Sequence, residues 1–482
     1  MLELITGNFD FSTLNIIFAF FGLLITTLTL SAVPGQIEVR RKWFYLLYFW
    51  FIISFLVVIF SRSWLLFIVF WEMVTVSVSL MLLWTNRGLA AQYLTIQFIG
   101  SSFLLVSILF AIRSGYQEIG PIAEIWLQNC LILGLGMKSA LFGLHFWLPP
   151  VHSRAAAPVS AILSGWVVKL GFITMLKLIT GGNNLLLVLG FLMIFYGGFK
   201  ALRSSDYKVL LAYSSISQLG YIAVGIGAGT LWSYSGAVLH IIAHGLAKPG
   251  LFIGSGYLVK EYGSRCIYDF KELWKRQKLL SFTILACFSS LMGIPFFIGY
   301  SSKHLLKNPL NGGVLFMILI HAASIMTTLY STRFLYWGLF KDIGLSKIFM
   351  GFKFKLSSFF RSSGLKWYEG LVLFMVIVLL VSGLFFSSYI SALIRPVNGE
   401  LNLPGGLVLS ALYLLISIII LKITSWIKTE SKTPSLDRLF NQTNRVIYNF
   451  ARYLYNRLYP DFQYQLLWVP VFVIVLILWI NS

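Results

Sequence analysis

The chain has 482 residues, of which 58% are hydrophobic and only 11% charged, with a mean hydropathy of +0.84. That balance excludes a soluble globular domain and places the chain among integral membrane proteins. The formal charge of +21 does not imply nucleic acid, because the basic residues lie in short loops between apolar runs, where topology and anionic lipid account for them. Cys130, Cys266 and Cys287 have no paired spacing, so neither a disulfide framework nor a metal or cluster site is expected.

In chain order, apolar runs of membrane-spanning length recur from Phe11 to Ile480. They predict an all-α, polytopic protein of about fourteen transmembrane helices by the twenty-residue criterion. The runs lie near 11–34, 43–61, 63–84, 94–112, 125–148, 156–179, 184–199, 209–227, 230–257, 279–303, 312–339, 369–394, 405–421 and 463–480. The first has an acidic lead-in, Glu3 and Asp10, and no cleavage pattern, so it reads as a retained span. If the first residue is outside, alternate loops collect 27 Lys and Arg residues against 4 in the opposite set. That asymmetry predicts both termini outside.

Charges inside the spans are the informative residues. Glu72 is an acid well inside a span. Between Cys130 and Thr180 two apolar helices are joined by a break marked by Pro149 and Pro150, with Lys138 near the middle of the first and Lys169 near the middle of the second. A lysine at bilayer mid-depth costs about 2.5–3.5 kcal/mol on insertion scales, so two in succession point to an ion path. The competing reading is a pair of lysines paired only for packing. Lys248 follows His240 and His244 at two turns and one turn on the same helical side, and Lys303 lies beyond an interruption at Pro295. Arg333 stands near a span end, within reach of the interface. Interrupted helices, one in each half of a chain, point to an inverted-repeat transporter. Near the C-terminus, Leu436, Phe440, Ile447 and Leu454 share one helical face opposite Arg438, Arg445 and Arg452. This predicts an amphipathic helix on the cytoplasmic surface, between Pro434 and Pro460.

The run KSALFGLHFWLPPVHSRAAAPVSAILSGWVVKLG, followed by DYKVLLAYSSISQLGYI, HIIAHGLAKPGLFIGSG and GIPFFIGYSSKHLL, resembles the antiporter-like subunits of the respiratory complex I superfamily. That superfamily includes Mrp-type cation/proton antiporters and membrane-bound hydrogenases. The resemblance implies two inverted five-helix repeats, each with a discontinuous helix, and a central axis of lysines. By it, Glu72 is the glutamate paired with the first key lysine, Lys138. Lys169 is then the lysine of the next helix, Lys248 with His244 the link in the second repeat, and Lys303 the lysine of the second broken helix. His240 and His321 match more weakly. The division it implies is an N-terminal helix (1–42), a first repeat (43–180), a second repeat (181–342), C-terminal membrane helices (343–430), the amphipathic surface helix (431–460) and a last span (461–482). Only two spans precede the glutamate helix, fewer than the fuller family pattern, and no very long lateral helix follows, which favours an Mrp-type or hydrogenase-type member.

No nucleotide, haem, quinone or cluster motif is visible, so the chain is expected to hold no cofactor or metal and no catalytic centre of its own. The expected function is translocation of protons or sodium ions in a complex with other membrane subunits of complex I-like, hydrogenase-like or Mrp type. Redox chemistry or cation exchange would then belong to those partners. The setting expected is a prokaryotic inner membrane, or otherwise the mitochondrial one. The alternatives are a non-transporting subunit that anchors the complex and an independent solute carrier.

Overall fold

The computed structural model describes residues 8–341 apart from 36, 38–40 and 84, together with 377–381, 383, 403–424 and a few single positions beyond. Among these residues the structure is helical, with isolated bridges such as Asp206–Cys266 and no extended strand. Nine of the described helices are long and apolar enough to cross a membrane. The spans expected at 369–394 and 463–480, and the amphipathic helix, fall almost wholly outside the described residues.

The helices in order are α1 (Thr13–Ser31), α2 (Arg41–Phe60), α3 (Trp64–Leu83), α4 (Arg87–Arg113), α5 (Ile125–Lys138), α6 (Leu148–Arg154), α7 (Ala157–Leu178), α8 (Asn184–Arg203), α9 (Tyr207–Ala228), α10 (Leu231–Tyr262), α11 (Lys278–Met292), α12 (Ile298–Leu306), α13 (Val314–Phe340) and α14 (Leu403–Thr424). Their ends are set by local chemistry. Asn86, Asn183, Asp206 and Thr230 accept backbone N–H groups in the first turns of α4, α8, α9 and α10, satisfying donors that no earlier residue can pair. Gly229 and Gly263 close α9 and α10 in the left-handed region, where glycine carries no side-chain penalty.

Two of the expected spans are each split into two shorter helices. α5 stops at Lys138, and the backbone does not resume α-helix until Leu148, passing through Ala140 at φ 52. α11 stops at Met292, and the chain passes through Gly293 and through Phe296 at φ 78 before α12. A non-glycine residue in that conformation costs about 1–2 kcal/mol, so each break holds one strained residue. Pro149 and Pro150 open α6, where a missing N–H is harmless; Pro295 lies in the second break itself. The proline pair is therefore on the far side of its break from Lys138, and Lys138 ends a half-helix at the break instead of lying within a continuous helix.

α7 and α10 are enclosed by the other helices along their membrane-spanning length. With no lipid-facing side they form the centre, and both are irregular. α7 contains a π-turn over Leu163–Val167, and α10 carries Pro249 within the helix, which leaves the Gly245 carbonyl without its usual donor. The two helices meet through glycine: a Cβ on Gly165 would stand 2.7 Å from Pro249 Cγ and 3.6 Å from that carbonyl.

Candidate functional site

Each enclosed helix delivers one fully buried lysine. Lys169 follows the π-turn of α7 and Lys248 precedes Pro249 of α10. A buried ammonium without hydrogen bonds is costly, and both of these amines have partners. The Lys169 amine donates to the Ser164 carbonyl within the π-turn. Lys248 donates to the Leu211 carbonyl at 3.0 Å and to Ser214 Oγ at 2.6 Å, both on α9. Ser164 and Ser215 then join α7 to α9 through a 3.0 Å hydroxyl contact.

On one flank, Lys138 donates to the Trp71 carbonyl at 2.7 Å, and its amine stands 3.9 Å from the centroid of a Trp71 ring. Glu72 is buried beside it with neither carboxylate oxygen hydrogen-bonded, while the Lys138 charge and the Ser101 hydroxyl lie within its reach. The break is pinned by Trp147 Nε1, which donates to the Met137 carbonyl at 2.8 Å. Space for α7 to approach comes from Gly171, where a Cβ would fall 2.0 Å from Ser139 Oγ.

On the other flank, His240 Nδ1 is 2.9 Å from Ser302 Oγ, next to Lys303. The Lys303 amine lies 4.4 Å from the Tyr221 ring centroid, and the same ring is 5.3 Å from that of His240. Tyr221 is held by a 3.1 Å hydroxyl contact with Thr327 on α13. Gln218 extends the network to the Tyr330 hydroxyl at 2.7 Å. His244 lies between the halves, its ring nitrogens buried and without a hydrogen bond, and the charges of Lys169 and Lys248 both reach it.

The sequence-predicted residues thus fall into two groups, Glu72 with Lys138, and Lys169, Lys248, His244, His240 and Lys303 around α10. Other residues make contacts that a sequence reading does not show. Lys208, counted there with the loop cations, is only 9% exposed and donates to the Ala155 carbonyl at 3.0 Å. Arg333 reaches the loop after α8 and the loop after α10. It is buried, donating to the Ser204 carbonyl at 2.7 Å and the Tyr268 hydroxyl at 2.8 Å. His321 is bonded to Tyr413 of α14, whose ring also lies 4.7 Å from the Lys307 amine. His152 is fully buried against Phe252. No periodicity marks these; only their neighbours do. Among the described residues, no group of three or more His, Cys, Asp or Glu side chains is placed to hold a metal.

The signature of the family described as NADH:quinone oxidoreductase/Mrp antiporter, transmembrane, matches residues 61–328. The chain belongs to that family. Among curated members of the NADH:quinone oxidoreductase/Mrp antiporter family, it is 33% identical over 215 residues to NADH-quinone oxidoreductase subunit N of Desulforudis audaxviator, covering 42% of this chain and 43% of that one. It is 30% identical over 405 residues to a Staphylococcus saprophyticus protein named as antiporter subunit mnhA2, covering 72% of this chain and 50% of that one. The chain therefore spans about half the length of these relatives. Its fold matches a chain of the Mrp complex of Dietzia with a TM-score of 0.74 at 21% identity, over 98% of this chain and 55% of that one. The matched segment takes in both breaks and Lys138, Lys169, Lys248 and Lys303.

Proposed function

We propose that the chain translocates protons or sodium ions through its buried axis, as an antiporter-like subunit of a multisubunit membrane complex whose other subunits supply redox chemistry or cation exchange. The observation that carries this reading is that Lys138, Lys169, Lys248 and Lys303 each sit at or beside a helix irregularity while buried in an apolar bundle. A packing role does not call for four buried cations, each costing several kcal/mol of desolvation. The unbonded carboxylate of Glu72 and the imidazole of His244 are groups that water satisfies along a hydrated path. Lys138 and Lys303 exchange ions with the two sides, and Lys169, His244 and Lys248 relay between them.

The same reading takes 43–180 and 181–342 as inverted five-helix repeats. It is supported by the occurrence of a break in the fourth span of each, α5–α6 and α11–α12, with one strained residue apiece. The fuller count of about fourteen spans and the orientation with both termini outside a prokaryotic inner membrane rest on hydropathy and loop charge. The test is Lys138→Ala in the assembled complex reconstituted in liposomes. Loss of coupled ion transport with subunit stoichiometry preserved is the expected result, and undiminished transport overturns the assignment.

A further inference from the structure

Resting on that ion-translocating reading, we propose that the first flank holds a binding site for a dehydrated monovalent cation of sodium size. Its ligands are the Glu72 carboxylate of α3 and the side-chain oxygens of Tyr93, Gln97 and Ser101 of α4. The three α4 residues recur every four positions, so they share one face of that helix. That face is turned to Glu72, whose charge reaches the Tyr93 hydroxyl and whose carboxylate has the Ser101 hydroxyl within reach. Gln97 stands between them, one turn from each. All four side chains are buried, Gln97 with only 1% of its surface exposed.

Inside this apolar bundle the Tyr93 and Ser101 hydroxyls, both amide atoms of Gln97 and both oxygens of Glu72 make no hydrogen bond. Each such group costs roughly 1–3 kcal/mol, and apolar side chains of similar size would pack there without that cost. The set is also held in place. Ser79 of α3 donates to the Ala90 carbonyl of α4 at 3.1 Å, and a Cβ on Gly100 would stand 2.4 Å from Met137 Cβ of α5. The Tyr93 ring meets Trp147 edge-on, with centroids 5.4 Å apart and planes at 68°, and Trp147 is the residue that pins the first break.

The donor chemistry selects the ligand. One carboxylate and three neutral oxygens are hard donors, suited to alkali or alkaline-earth ions and not to a transition metal. A divalent ion would leave surplus positive charge in the bundle even with Lys138 neutral. One monovalent ion, the Glu72 carboxylate and a neutral Lys138 amine sum to zero. Binding is therefore an exchange in which the cation enters, one proton leaves the Lys138 ammonium and the net charge is unchanged. Lys138 gives its hydrogen bond to the Trp71 carbonyl and none to Glu72, so the amine does not block the carboxylate.

The experiment follows carboxylate bands of the assembled complex by infrared difference spectroscopy, titrating Na+ against choline at equal ionic strength. Assembly is checked by subunit stoichiometry. Wild type is expected to show a Na+-induced carboxylate band that choline does not induce and that Glu72→Gln lacks. Gln97→Leu and Ser101→Ala each remove one oxygen ligand and are expected to raise the Na+ midpoint at least about tenfold. Lys138→Met removes the competing ammonium and is expected to lower it. The site is overturned by the lack of a Na+-specific band, by a band unchanged in Glu72→Gln, or by a midpoint within twofold of wild type in either α4 variant. A midpoint that Lys138→Met leaves unchanged or raises overturns the exchange. If one α4 variant fails to assemble, the other decides together with Glu72→Gln. Ion flux in liposomes is read separately: flux without the band overturns the cation site and leaves ion transport standing, whereas the band without flux counts against transport alone.

Discussion

Lys138 gives its hydrogen bond to the carbonyl of Trp71, whereas the carboxylate of Glu72, the next residue on the same helix, is left without one. The pair is thus coupled through space and not locked by a direct bond. A small rotation of either side chain changes the attraction steeply at low dielectric. Glu72→Gln keeps the shape and removes the charge. It is expected to slow ion transport by about a hundredfold, the scale of a lost proton-transfer partner, with the complex still assembled. Flux in liposomes measured beside native gel mobility checks this, and a rate within twofold of wild type rejects the coupling.

On the other flank, as at Lys138 over Trp71, the lysine meets an aromatic ring. Lys303 has no hydrogen bond to its amine and rests on the face of Tyr221, and such a contact contributes about 2 kcal/mol or more when desolvated. Tyr221→Leu removes the ring, whereas Tyr221→Phe removes only the hydroxyl contact with Thr327. The leucine variant is expected to lose roughly tenfold or more in transport rate, and the phenylalanine variant to retain most of it. Equal losses in the two would place the effect in the Thr327 contact and not in the ring.

The lysines were legible because burying a cation in a membrane is costly enough that each one demands a reason. The spans were legible because hydropathy over twenty residues is a coarse, additive signal. What the sequence showed less well was where the backbone is irregular. The break after Lys138 runs through Ala140 and an ordinary-looking stretch, while the conspicuous Pro149 and Pro150 merely start the next helix. Pro249, equally conspicuous, does not end its helix: α10 continues to Tyr262 with the Gly245 carbonyl left without its usual donor. The π-turn before Lys169 has no sequence mark at all. Lys208 was misplaced for a related reason: a lysine near a helix start counts as a loop cation until the packed neighbour that buries it is known.

Gly299 shows how closely the second break is folded. A Cβ there would lie 1.8 Å from the Ser290 carbonyl oxygen of α11, and backbone cannot yield as a flexible side chain can. Gly299→Ala must push α12 away from α11 and carry Lys303, one turn later, off Tyr221. The expected cost is about 1–3 kcal/mol of stability, the range for overpacking, together with lowered transport. Thermal unfolding in detergent and liposome flux measure the two effects, and an unchanged melting temperature would refute the close approach.

A control comes from a lysine off the axis. Lys177, two turns beyond Lys169 on α7, donates to the Ile59 carbonyl at the end of α2, with the Asp10 charge in reach. Asp10 is itself engaged, accepting from the Ser12 amide at 3.0 Å and from Asn15 Nδ2 at 2.7 Å, while its own N–H donates to the Phe60 carbonyl at 2.6 Å. Lys177 therefore ties the N-terminal segment to two helices, and the residues between it and Lys169 include Phe172, Ile173 and Met175, buried and apolar. Lys177→Met is expected to cost roughly 1–3 kcal/mol of stability through the lost charged hydrogen bond. The transport rate per assembled complex should stay within twofold of wild type. A loss of flux as large as that of Lys138→Ala, with the melting temperature unchanged, would instead place Lys177 on the ion path.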